Sequence, residues 1–163
     1  MLASDVVSAS IVRGRADGET VANHLGGTIT FRATADETAE ALTVIEIVVA
    51  PGEGPWLHRH PDSDEFLYTI EGSMRVRLDD DVVEAPAGTF VFLPRGLPHT
   101  WQNAGDAPAR LLAAFVPGGP GMESFFRESA RFAGEASAGE VFQGVGSGGE
   151  MELVGPPLSE SHP

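Results

Sequence analysis

His58-Arg59-His60-Pro61-Asp62-Ser63-Asp64-Glu65 is the stretch on which the reading of this chain turns. Neutral imidazoles and a carboxylate are ligands for divalent transition metals, and three such groups fall within eight residues here. In a strand over residues 56–60, His58 and His60 point to one face, about 7 Å apart, because side chains alternate with period two. Two imidazoles at that spacing can share one ion. Pro61 to Asp64 is turn chemistry, so the chain can fold back and deliver Glu65 at the head of the next strand. One hairpin then offers three donors.

A fourth candidate lies downstream. From Gly88 an apolar run, Phe90-Val91-Phe92-Leu93, ends at the turn Pro94-Arg95-Gly96, and a new strand opens at His99 and runs to Asn103. The two stretches place Gly52, His58, His60, Glu65 and Gly72, then Gly88, Pro94, Gly96, His99 and Asn103, with fifteen residues between them. This ten-position pattern resembles the paired signature motifs of the cupin superfamily, with the short gap of its microbial members. The resemblance implies an all-β fold, a cupin β-barrel of the jelly-roll or double-stranded β-helix type. It also implies a metal site made by His58, His60, Glu65 and His99 for one divalent iron, nickel, manganese, copper, cobalt or zinc ion.

The flanks of the motifs narrow the resemblance. Pro55-Trp56-Leu57-His58-Arg59-His60-Pro61, Asp64-Glu65-Phe66-Leu67-Tyr68 and Phe115-Val116-Pro117-Gly118-Gly119 are similar to bacterial single-domain cupins grouped as quercetin 2,3-dioxygenase-like. What this implies is dioxygen-dependent ring cleavage of a small aromatic or enolisable substrate of flavonol type. Glu65 would be both ligand and catalytic proton acceptor; His58, His60 and His99 would be ligands only. Two alternatives stand beside it: a zinc-dependent cyclase or isomerase of polyketide type, and a non-catalytic cupin that binds a small molecule. Cupins commonly pair through their sheets, so a homodimer is expected.

Composition bounds these readings. The chain has 163 residues and a formal net charge of −14, with ten arginines and no lysine. Such acidity repels phosphate backbones and anionic lipid, so neither nucleic acid nor membrane is expected as a partner. Without lysine there is no Schiff-base chemistry, and without cysteine no disulfide, thiolate ligand or thiol nucleophile. The first residues lack a basic, apolar leader pattern and no apolar run approaches membrane-spanning length, so a cytoplasmic location is expected.

The periodicity predicts nine short strands, over residues 28–34, 42–49, 56–60, 65–70, 74–78, 82–83, 89–93, 99–103 and 111–116. An edge strand could form near Val6-Val7 or Ile11-Val12. The near-continuous apolarity of Leu42 to Val49 suggests burial on both faces. After Pro117 the period changes. Phe125, Phe126, Ala130 and Ala133 make one helical stripe, which predicts a single C-terminal helix over 121–133, capped at Gly134 and packed on the barrel or across its mouth. The expected organisation is one domain over 1–163, with a barrel core from 28 to 117, that helix, and a Gly-rich loop and tail from 134 to 163, of which 134–150 is expected to be mobile and Met151 to Val154 could dock a last segment.

Other residues keep two readings. Trp101 shares parity with His99, so it either walls a substrate pocket or packs the core. Glu46, in an apolar strand, either faces solvent at an edge or serves the cavity. Asp62 and Asp64 either orient a histidine ring or build the turn. Asn103 is expected to anchor backbone, and His24 and His162 to lie on the surface. The Gly144–Gly149 match to a dinucleotide-binding pattern lacks the strand before and the helix after that such a loop requires.

Overall fold

The structure, a computed structural model, describes residues 9–161. Eleven strands run β1 (Thr20–Ala22), β2 (Thr28–Ala33), β3 (Thr43–Val49), β4 (Trp56–Arg59), β5 (Asp64–Glu71), β6 (Ser73–Leu78), β7 (Asp81–Pro86), β8 (Phe90–Leu93), β9 (His99–Asn103), β10 (Ala109–Val116) and β11 (Glu152–Pro157). Strands β2 to β10 are the nine that the periodicity predicts. Helices α1 (Pro120–Ser129), α2 (Ala138–Gly144) and α3 (Leu158–Ser161) complete the fold, with a 3-10 turn at Ala130–Phe132. The fold is all-β in its body, as expected, α1 is the expected C-terminal helix, and the described residues add the shorter helices α2 and α3. Val6-Val7 and His162 lie outside the described residues. Ile11-Val12 is not a strand, and Val12 is 93% exposed.

The strands form two antiparallel sheets, ordered β1-β2-β3-β10-β5-β8 and β11-β4-β9-β6-β7. Period-two alternation sends Ile29, Phe31, Ile45, Ile47, Val49 and Leu111 inward from the first sheet, and Met74, Val76 and Trp101 from the second. The expectation that β3 is buried on both faces is corrected. Its inner residues are buried, whereas Val44, Glu46 and Val48 are half-buried on the outer face. There Glu46 pairs with Arg32 at 2.8 Å and Arg110 at 3.2 Å, so it serves neither an edge nor the cavity.

Two glycines show why the turns fall where they do. Gly72 joins β5 to β6 with φ of 87°, a left-handed conformation that costs glycine little. Gly54, just before β4, lies so close to the Trp101 carbonyl that a Cβ there would overlap it. That contact lets the chain enter β4 flat against β9, where two of the candidate ligands face each other.

Helix α1 begins with Pro120 at its first turn and buries Met122, Phe125, Phe126 and Ser129. Glu123, 5% exposed, accepts hydrogen bonds from the Ala35 amide (2.6 Å) and the Thr43 hydroxyl (2.7 Å), which staples the helix to β2 and β3. The expected mobile loop over 134–150 is corrected too: α2 forms within it, behind a capping box in which Ser137 and Glu140 satisfy each other's backbone amides. Met151 to Val154 does dock, because β11 pairs with β4. Among the described residues no helix is long and apolar enough to cross a membrane. On edge strand β8, Phe90 and Phe92 are 59% and 55% exposed.

Candidate metal centre

His58 is the third residue of β4, His60 follows that strand, Glu65 is the second residue of β5, and His99 opens β9. β4 and β9 lie in one sheet and β5 in the other, so the first three donors come not from a hairpin but from a crossing between sheets. His58 and His99 sit directly opposite each other across the β4–β9 pair, with ring centroids 4.5 Å apart. All four side chains are buried, and one ligand atom from each lies within 4.8 Å of the others.

Each imidazole is oriented by a backbone carbonyl. Nδ1 of His58 is 2.6 Å from the Trp56 oxygen, that of His60 is 2.8 Å from the Glu150 oxygen, and that of His99 is 2.8 Å from the Leu97 oxygen. A carbonyl can only accept, so every Nδ1 carries a proton and donates it. That leaves the Nε2 lone pairs for the interior. Nε2 of His99 lies 2.9 Å and Nε2 of His60 3.2 Å from the same Glu65 oxygen, Oε2, and His60 Nε2 makes no well-aligned hydrogen bond. Lone pairs facing a carboxylate at such distances repel unless a cation, a proton or a metal ion, lies between them. The donor set therefore fits a divalent metal.

The electrostatics follow from this crowding. Burial pushes the His58 pKa well down, helped by the neighbouring His99 and His60, so its ring is neutral. For His60 burial acts downward too, but the Glu65 carboxylate and the Glu150 carbonyl outweigh it and the net shift is up. For Glu65 burial acts upward, and the His60 and His99 imidazoles beside it override that, holding the carboxyl far below its usual range.

The site opens into a narrow cavity between the sheets, walled by Trp101, Phe115, Met122, Phe125, Phe126, Phe142 and Met151. Helix α1 contributes Met122, Phe125 and Phe126 to its wall. Trp101 both lines this cavity and belongs to the apolar core. Asp64 orients no histidine. It pairs with Arg95 at 3.0 Å and takes the Arg95 amide at 2.9 Å, which ties the turn before β5 to the loop before β9. Asn103 anchors backbone, donating to the Val49 and Ala107 carbonyls and accepting from the Gly105 amide.

The surface reading of His24 is corrected. Its ring stands in the cavity wall, edge-on to Phe142 at 4.9 Å and Phe125 at 6.0 Å. Nothing in the local pattern marks it, because it lies 34 residues before His58 in a polar stretch and reaches the cavity only through the β1–β2 connection. Glu150 is the other residue missed. Its carbonyl holds His60, while its carboxylate accepts from the Gly121 and Met122 amides in the first turn of α1, at 2.8 and 2.9 Å.

Comparison with known proteins agrees with this architecture. The family model for the cupin domain matches residues 45–115. The chain is 40% identical over 77 residues to the tetracenomycin polyketide synthase protein TcmJ of Streptomyces glaucescens, covering 47% of this chain and 52% of that one. It is 34% identical over 73 residues to the polyketide synthase CurC of Streptomyces cyaneus, covering 45% and 47%. The chain thus spans about half the length of these curated relatives. Among solved structures, the polyketide cyclase RemF of Streptomyces resistomycificus superposes with a TM-score of 0.56 at 24% identity, over 66% of this chain and 80% of that one, which is a likeness of fold. With the ten-position motif, the two-sheet barrel, the converging histidines and the matched domain together, residues 45–115 of this chain form a cupin domain.

Proposed function

We propose that this protein is a metal-dependent cyclase or isomerase acting on an enolisable aromatic compound of polyketide type. The observation that carries the reading is the pairing of four converging donors with a cavity walled mostly by aromatic, aliphatic and thioether side chains. The likeness to TcmJ and CurC, whose names place them in polyketide synthesis, favours this chemistry over the ring cleavage expected from the motif flanks. His58, His60, Glu65 and His99 would hold a divalent ion such as zinc, which when bound supplies Lewis-acid polarisation of a carbonyl. The chain's own residues do the rest. The aromatic walls exclude water and hold a folded ketone chain, and the buried Glu65 carboxylate is placed to take a proton from a carbon beside a carbonyl.

The test uses 1-phenylhexane-1,3,5-trione, whose terminal methyl carbon can attack the carbonyl beside the phenyl ring. Closing that bond and losing one water gives 3,5-dihydroxybiphenyl, with no oxidant or reductant consumed. Protein loaded separately with zinc and with iron should form this phenol faster than the free metal does, with no uptake of dioxygen. Dioxygen consumption that tracks substrate would instead favour the dioxygenase reading. Binding without turnover under either metal would leave a non-catalytic small-molecule cupin.

The expected homodimer is carried forward as a proposal. Phe90-Val91-Phe92-Leu93 is an uncharged, open edge in a chain of net charge −14, and a two-fold related copy of β8 would extend the six-stranded sheet. Replacing Phe90 and Phe92 together by aspartate should shift the mass measured by light scattering from dimer to monomer. A wild type that is already monomeric would discard the proposal.

A further inference from the structure

His24 combines two features that fit poorly with a packing role. Both ring nitrogens are shut off from solvent and neither has a hydrogen-bond partner among the described residues. The ring is also held in a fixed place. Asn23, buried before it, donates to the Val48 carbonyl and accepts from the Leu25 amide, both at 3.0 Å, and its backbone bonds to Gly26 and Gly27 close the β1–β2 turn. An imidazole oriented this firmly, between Phe125 and Phe142, with a donor and an acceptor left unused, carries an uncompensated cost of burial. Protonation does not relieve that cost, since burial lowers the pKa to about 4. His24 shares the cavity lining with His58, His60 and Glu65, and its residue also lines an outer crevice with Glu53 and Glu135.

We infer that His24 is a substrate-contacting residue, whose neutral ring hydrogen-bonds a hydroxyl or carbonyl on the part of an aromatic ligand remote from the metal-chelating group. The inference rests on the metal-dependent reading above and adds a chemical class to it: the ligand carries two separated polar edges, one chelating the ion and one facing His24, with an apolar ring body between them against Phe125, Phe126 and Trp101. Such a placement fixes which way round a polyhydroxylated ring system enters, and so which carbons meet Glu65.

Two probes separate the edges. Naphthalene-2,3-diol offers only a chelating pair, and naphthalene-2,3,6,7-tetrol adds hydroxyls on the opposite edge. Their binding to zinc-loaded protein is measured under nitrogen by fluorescence, beside zinc content by mass spectrometry and thermal unfolding, for wild type, His24→Leu and His24→Gln. Wild type should prefer the tetrol by about tenfold, the worth of one buried hydrogen bond. His24→Leu should erase the preference while keeping zinc, diol binding and a Tm no lower than wild type, because an apolar side chain suits that pocket better than an unpartnered imidazole. His24→Gln should keep part of the preference. An unchanged preference in His24→Leu, equal weakening of both probes, or a wild type indifferent to the extra hydroxyls would overturn the inference while leaving the metal reading intact. A wild-type protein that holds no zinc, or a zinc form that does not bind the diol, would overturn the metal reading and the inference with it.

Discussion

Replacing His58 and His99 together by alanine should reduce bound metal from near one ion per chain to less than a tenth, as measured by mass spectrometry on protein reconstituted and dialysed alongside wild type. The two rings face each other across β4 and β9 and supply two of the four donors. Loss of a mere orienting partner of a ligand already costs 10- to 100-fold in affinity, so removing two ligands outright should cost more than about 10⁴-fold. The same change removes one of the two imidazoles that hold the Glu65 carboxyl charged, so in the variant that pKa should move up from its depressed position as burial prevails. Far-ultraviolet circular dichroism should stay at the wild-type level, since both strands keep their backbone pairing. Near-stoichiometric metal in the variant would show that the ion sits elsewhere.

Glu123→Ala should be strongly destabilising although it removes no apolar contact from α1. The carboxylate is almost fully buried and accepts two short hydrogen bonds that reach across about 80 residues of chain, from Ala35 and Thr43. Truncation leaves an amide and a hydroxyl buried without an acceptor, a loss of about 3 kcal/mol, or about 10 °C in Tm for a chain of this size. Glu123→Gln keeps one acceptor oxygen and should recover about half of that. Limited proteolysis should cut the alanine variant between residues 117 and 134 well below its Tm, because α1 is held down by this staple as much as by its phenylalanines. A Tm within a degree or two of wild type would mean that the apolar face alone seats the helix.

The comparison of sequence with structure has a physical pattern. The nine central strands were legible because β-branched and aromatic residues alternate along them and glycine and proline punctuate them. The four donors were legible because their spacing is tied to two strand ends and two turns. What escaped depends on contacts between segments far apart in sequence. His24 enters the cavity only because β1 and β2 pair and Asn23 pins their turn to β3. Strand β11, expected only as a docking segment at Met151 to Val154, takes strand form because β4 offers it an edge, and no alternation within Glu152–Pro157 announces that. Helix α2 is a different kind of miss. Ser137 and Glu140 stand at capping-box spacing ahead of Val141-Phe142, a local signal outweighed by the glycines around it. The orientation of the histidine rings could not be read from sequence either, because the groups that set it are main-chain carbonyls, which carry no side-chain signature.

Glu150 joins two of these features in one residue. Its carboxylate caps a helix that lines the cavity, and its carbonyl sets the tilt of the His60 ring. A displacement of the first turn of α1 therefore tugs on the peptide that aims a donor at the centre. Equilibrium linkage makes the traffic two-way: whatever factor helix seating adds to cation affinity, cation occupancy adds to helix seating. Loading the ion and seating α1 thus become thermodynamic partners through a single amino acid.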